Sequence, residues 1–165
     1  MVDDEIHSLA ESVIRGYSAA GLKIVTAESC TGGLIAGSLT AIAGSSAVLE
    51  RGFVTYSNEA KTEMLGVAPA EIIEHGAVSE EVCRAMALGA LAASHADVSV
   101  AVTGIAGPGG ATEKKPVGLV VIGVVSRAGA LRIERHIFAG DRTAVRRATI
   151  IRALEILNET ACAER

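Results

Sequence analysis

Four stretches of this sequence gather residue types that can attack a carbonyl, move a proton or grip an anion. The first is Ala27-Glu28-Ser29-Cys30-Thr31-Gly32-Gly33. A strand is expected to end just before it, near Thr26, and small residues from Gly32 to Ala43 predict a helix just after it. A helix start leaves N–H groups unpaired at the positive end of the dipole. Gly32 and Gly33 let a ligand come close to the backbone. Such a loop can hold a phosphate, or the oxyanion that forms when a carbonyl is attacked. Either Ser29 or Cys30 can be the attacking group. A plainer alternative fits the same residues: Ser and Thr cap the helix and Gly eases packing. The stretch matches neither the phosphate-binding P-loop nor the GxGxxG dinucleotide pattern.

The second is Thr55-Tyr56-Ser57-Asn58-Glu59-Ala60-Lys61. Ser57 and Asn58 are good helix caps and Gly66 is a stop, so Lys61 falls in the first turn of a short helix. The dipole disfavours a cation there, burial would act the same way, and Glu59 would oppose both. A neutral lysine can serve as the base that activates a serine; a solvated surface lysine is the alternative. The third, Thr103-Gly104-Ile105-Ala106-Gly107-Pro108-Gly109-Gly110, follows an apolar strand at Val98–Val102. It can form a rigid wall against a flat ring or a sugar, or be a plain surface loop. The fourth, Asp141-Arg142-Thr143-Ala144-Val145-Arg146-Arg147, opens the last helix. Arg142 and Arg146, four apart, share a face and could hold a phosphate between them; solvated arginines behind an Asp141 cap would look the same. His75 suits acid–base chemistry or a simple turn before Gly76.

The elements that must position these residues alternate. Ile6, Leu9, Val13 and Ile14 lie at helical spacing, in a helix ending near Gly21. Strands follow at Leu22–Thr26 and Val48–Tyr56, then helices opening at Ser57 and Ser79, then the strand at Val98–Val102. Val117–Ser126 and Leu131–Phe138 form a hairpin around Ala128-Gly129. The order predicts one α/β domain over 1–165: a three-layer α/β/α arrangement with a mixed, mostly parallel sheet of about five strands. In such sheets ligands bind beyond the carboxyl ends of the strands, where the Ser29 and Thr103 loops lie.

Composition narrows the function. With 15 basic and 19 acidic residues the net charge is −4, without the basic excess of a nucleic-acid binder. No apolar run approaches the ~18 residues of a membrane span, and the acidic N-terminus lacks the features of a signal peptide. Three scattered cysteines fit a reducing cytoplasm, and neither CxxC nor HExxH is present to suggest a metal. Two Phe, two Tyr and no Trp leave the core to Ala, Val, Ile and Leu. The small-residue faces are compatible with a homo-oligomer.

Five segments also occur in the same order in a known family: Ala27–Gly33, Tyr56–Lys61, His75-Gly76-Ala77-Val78-Ser79, Thr103–Gly110 and Lys115-Pro116-Val117-Gly118. Over nearly its whole length the chain resembles the CinA C-terminal domain family, whose characterised members are nicotinamide-nucleotide amidohydrolases. The resemblance implies deamidation of nicotinamide mononucleotide to nicotinic acid mononucleotide and ammonia, without metal or cofactor. It selects Ser29 over Cys30 as nucleophile, with Lys61 as base and Tyr56 and Thr103 assisting. In that scheme N–H groups near Cys30 and Thr31 hold the oxyanion. Gly32, Gly33, Gly104 and Gly107 line the substrate, and the phosphate lies at a helix N-terminus or on Arg142 and Arg146. Many members carry a further N-terminal domain that this chain is expected to lack. A nucleotide-binding module without turnover would use the same loops.

Overall fold

The computed structural model describes residues 3–163. The first helix, α1 (Asp4–Ala20), starts where the Asp3 carboxylate accepts the Ile6 N–H at 3.1 Å and stops at left-handed Gly21. Its Ile6, Ala10, Val13, Ile14 and Tyr17 are buried, the face that the spacing predicts. The chain continues through β1 (Ile24–Glu28), α2 (Leu34–Thr40), a 3-10 turn at Ser45–Ala47 and β2 (Leu49–Val54). Then come α3 (Asn58–Leu65), α4 (Pro69–His75), α5 (Glu80–Ala92), β3 (Val98–Gly104), β4 (Leu119–Ser126), β5 (Leu131–Ile137) and α6 (Arg142–Ala163).

The sheet order is β2-β1-β3-β4-β5. β1 is parallel to both β2 and β3, whereas β4 is antiparallel to β3 and β5. Every strand but β4 therefore points the same way, as expected, and the ends of β1, β2, β3 and β5 meet along one edge. Apolar side chains of α1, α2 and α6 pack on one face of the sheet. α5, with Leu65 of α3 and Ile72 of α4, packs on the other. Both cores are aliphatic; the one fully buried aromatic is Tyr17, whose hydroxyl donates to the Leu157 carbonyl at 3.1 Å.

Three differences from the sequence reading matter for the site. β1 runs two residues later than expected, so Ser29 follows the strand directly. Its residues are buried on both faces, so the strand shows no alternation of exposed and buried positions from which to read its ends. α2 is shorter than Gly32–Ala43 because Gly32 and Gly33 have φ of 62° and 95°, outside a right-handed helix. His75 is the last residue of α4, not part of a turn alone; a helix of seven residues that opens on Pro69 is too short to show a period.

The short α3 is fixed by the helix beneath it. Gly89 of α5 lies so close that an added Cβ would sit 1.9 Å from the Leu65 carbonyl oxygen. On helix propensity alone Gly89→Ala should stabilise by up to ~1 kcal/mol. The overlap reverses that sign: we expect a net loss of about 1–3 kcal/mol in urea unfolding. A stabilised variant would show that this contact does not hold α3.

Candidate active site

The end of β1 supplies the first part of the site. Glu28, its last residue, is fully buried, and its carboxylate caps α2 from outside the helix. It accepts the Thr31 hydroxyl at 2.6 Å and the N–H groups of Gly33, Ile35 and Ala36 at 3.1, 3.0 and 2.9 Å. The loop between turns tightly: Ser29 N–H donates to the Val102 carbonyl, and Gly32 N–H to the Ser29 carbonyl. Arg146, on α6, donates from Nε to the Cys30 carbonyl and from Nη2 to the Thr31 carbonyl, both at 3.1 Å. Neither the Cys30 nor the Thr31 N–H donates to another residue among those described.

The second part comes from β2 and α3. Ser57 caps α3, accepting the Ala60 N–H at 3.0 Å, and Gly66 ends it at φ 69°. Lys61, far from being solvated, is 1% exposed. Its Nζ lies 3.2 Å from Ser29 Oγ, 2.9 Å from the Thr55 carbonyl and 3.5 Å from the Ser57 carbonyl. Burial pulls the amine below the ordinary lysine range, and a Cys30 thiolate would act weakly in the opposite direction. Glu59 is exposed and is not a cause of the shift. Burial pushes the Cys30 thiol up to about 11, with a smaller upward push from Glu28.

The third part is the Thr103 loop with the start of α6. Thr103 is buried and its hydroxyl donates to the Ala77 carbonyl at 2.8 Å. An added Cβ on Gly104 would sit 3.0 Å from Cys30 Sγ and 2.8 Å from Val120 Cγ2, so only glycine fits between them. Arg142 donates to the Gly107 carbonyl and to the Tyr56 hydroxyl, each at 3.0 Å, and so ties three loops together.

These parts enclose a cavity of about 180 Å³, lined by Ser29, Cys30, Tyr56, Lys61, Thr103 and Gly104 with Arg142 at its side. That is below the ~300 Å³ at which ligand pockets commonly begin, so a nucleotide-sized ligand would extend beyond it. A hollow of about 500 Å³ adjoins it at Ala106 and Arg142, running over Pro108 and Gly140–Thr143. Thr31, Gly32, Gly33, Gly107 and Arg146 do not line the cavity but shape the loops behind it. His75 lies outside it, its ring nitrogens 3.8 Å from Glu74 and 3.7 Å from Glu81.

One expectation needs correction. The α2 N-terminus was expected to receive a phosphate or an oxyanion; the Glu28 carboxylate already occupies its N–H groups. Sequence reasoning missed this role, because Glu28 stands six residues ahead of α2, beyond the spacing of a capping box.

The CinA C-terminal domain model matches residues 6–161. Nicotinamide-nucleotide amidohydrolase PncC of Escherichia coli (strain K12) is 51% identical over 157 residues, 95% of this chain and 95% of its own length. A CinA-like protein of Citrifermentans bemidjiense is 56% identical over 138 residues, 84% of this chain but 33% of its own. The crystal structure of the competence/damage inducible protein CihA from Agrobacterium tumefaciens superposes with a TM-score of 0.93 at 50% identity. That superposition covers 95% of this chain and 96% of the other.

Burial of the Lys61 amine makes stability depend on pH. Its folded pKa is lowered, so the folded state binds fewer protons than the unfolded state across the interval up to the ordinary value of about 10.4. Stability must rise with pH through that interval, as the burial of a charged amine ceases. Urea unfolding of the native chain and of Lys61→Met between pH 7 and 10 tests this: the native chain should gain on the variant as pH rises. A constant difference would show that the amine is not desolvated.

Proposed function

The chain belongs to the CinA C-terminal domain family, and from that premise and the Ser29–Lys61 geometry we propose that it hydrolyses the carboxamide of nicotinamide mononucleotide. The products are nicotinic acid mononucleotide and ammonia, with Ser29 as nucleophile and Lys61 as its base. The reading is supported by the PncC name of relatives such as that of Escherichia coli. The observation that carries the chemistry is the 3.2 Å approach of Lys61 Nζ to Ser29 Oγ inside a buried pocket.

A neutral amine has two N–H donors and one lone pair. The Thr55 and Ser57 carbonyls accept the two donors, which turns the lone pair toward the Ser29 hydroxyl. When Ser29 attacks the carboxamide carbon, its proton passes to Nζ, and all three ammonium protons then have acceptors. The base gains its proton without moving, and the pocket needs no reorganisation at that step.

Of the N–H groups expected near Cys30 and Thr31 to hold the tetrahedral oxyanion, the unclaimed one of Cys30 belongs to a residue lining the cavity, one such donor being worth about 3 kcal/mol. The departing amine takes a proton from Lys61 directly or through Tyr56. The Tyr56 oxygen accepts from Arg142 and leaves its own proton free, whereas the Thr103 proton is committed to the Ala77 carbonyl. Thr103 therefore acts mainly by holding the cavity wall at Ala77. Water then attacks the acyl-enzyme, again with Lys61 as base. With the α2 start filled by Glu28, the phosphate belongs with Arg142, over the hollow beside Gly140–Thr143. Arg146 contributes from behind, through the carbonyls it holds.

Ammonia release from nicotinamide mononucleotide is the test. The native chain should turn the substrate over, and Ser29→Ala, with Cys30 intact, should lose on the order of 10³-fold or more in kcat. For the native enzyme kcat/KM should climb with pH, with its inflection below the usual lysine value near 10.4. Binding without ammonia would leave a nucleotide-binding module instead, and substantial turnover by Ser29→Ala would reject Ser29 as nucleophile.

A further inference from the structure

Glu28 is fully buried and makes no ion pair with any cation among the described residues. Its two oxygens accept four hydrogen bonds: one from the Thr31 hydroxyl and three from backbone N–H groups across Gly33–Ala36. The middle of the Ser29–Gly33 turn, at Thr31, and its far end, at Gly33, are thus tied to one side chain. The peptide planes between Ser29 and Thr31 are fixed as well. A trans peptide points its N–H and C=O in opposite directions. With the Cys30 carbonyl held by Arg146, the Thr31 N–H must face away from that guanidinium. With the Ser29 carbonyl held by Gly32, the Cys30 N–H must face away from the turn. Of the two donors that remain unclaimed, that of Cys30 belongs to a residue lining the cavity beside Ser29.

We propose that Glu28, acting through Thr31, is a positioning residue for the reaction. Its carboxylate sets the Ser29–Thr31 turn in the one shape that aims Ser29 Oγ at Lys61 Nζ and presents the Cys30 N–H group to the developing oxyanion. It touches no substrate. This rests on the Ser29–Lys61 reading above. Replacing the carboxylate with an amide sets an N–H₂ group against at least one backbone N–H, that of Ala36 at Oε1 in the less crowded orientation, so Glu28→Gln must loosen the cap that holds the turn. Thr31→Val removes only the hydroxyl arm, and Thr31→Ser restores it.

The experiment has two readouts. Steady-state ammonia release from nicotinamide mononucleotide gives kcat and KM. The rate of Ser29 sulfonylation by phenylmethanesulfonyl fluoride, followed by intact mass, reports the nucleophile without reference to any substrate. Glu28→Gln should lose at least about tenfold in kcat and in labelling rate, with KM within about threefold. Thr31→Val should lose less, and Thr31→Ser should return to near the native values. Circular dichroism should show each variant folded; if Glu28→Gln does not fold, the Thr31 pair carries the test alone. Unchanged kcat and labelling in Thr31→Val, or loss confined to KM, would overturn the proposal. Failure of Thr31→Ser to rescue would do the same. A native chain that is labelled but releases no ammonia sinks the substrate reading and leaves the labelling comparison to decide Glu28. A native chain that does neither has no activated Ser29, and the positioning role falls with it.

Discussion

Everything at the site depends on delivering one lysine amine, out of water, to the end of β1. Removing an ammonium from water is costly unless its donors are satisfied, and burial favours the neutral form. The fold meets this without an ion pair among the described residues: the carbonyls of Thr55 and Ser57 and the Ser29 hydroxyl stand beside Nζ. A carboxylate there would have held the lysine charged and useless as a base. Those carbonyls come from the turn between β2 and α3, so the Lys61 amine is oriented by the segment that starts its own helix. α3 has only eight residues and would not persist alone. It is pinned by Leu65 and Val67 in the core against α5, and by the Gly89 approach that leaves no room for a side chain.

The arginines of α6 serve the same end by a different route. A net charge of −4 says little about local binding, and neither Arg142 nor Arg146 extends freely into solvent. Both donate to loop carbonyls, and Arg142 also reaches Tyr56. Carbonyls engaged in this way cannot turn into the cavity and compete for donors needed by an oxyanion. The antiparallel half of the sheet matters for this reason. Because β4 reverses and β5 returns, α6 starts at the same edge where β1, β2 and β3 end. An all-parallel arrangement would require another helical crossover to bring a strand end to that place.

How far the sequence could be read depends on how local each signal is. Ser57 and Gly66 bracket α3, Ser79 opens α5, and the hairpin of β4 and β5 lies where its apolar runs put it. All of these are caps or periods within a few residues. The ends of β1 are not of that kind, since a strand buried on both faces shows no alternation. Nor is the role of Glu28, which caps a helix that begins six residues later, outside the reach of any capping box. The pairing of Ser29 with Lys61 spans 32 residues and two layers. Residue types alone left Lys61 free to be a surface lysine, and it was the ordered motifs of a family that joined the two. The burial that makes the pairing chemically meaningful arises from tertiary packing and leaves no trace in spacing.

In the proposed reaction the same burial favours Ser29 over the adjacent Cys30 as nucleophile. Cysteine is intrinsically better, because a thiolate forms far more readily than an alkoxide. That advantage requires ionisation, and the Cys30 environment removes it: burial pushes the thiol up to about 11, and the neighbouring Glu28 charge adds to the effect. Gly104 closes against Cys30 Sγ on one side, and Arg146 holds the carbonyl of the same residue from another. Serine has the opposite requirement. Its hydroxyl does not need to ionise beforehand, only to meet a base that takes the proton as the bond forms. In the proposed reaction Lys61 is that base: the pocket disfavours its charge, and its Nζ lies 3.2 Å from Ser29 Oγ. One low-dielectric pocket therefore has two consequences. It disables the residue that would have to carry charge before reaction, and it sharpens the pair that exchanges a proton only during it.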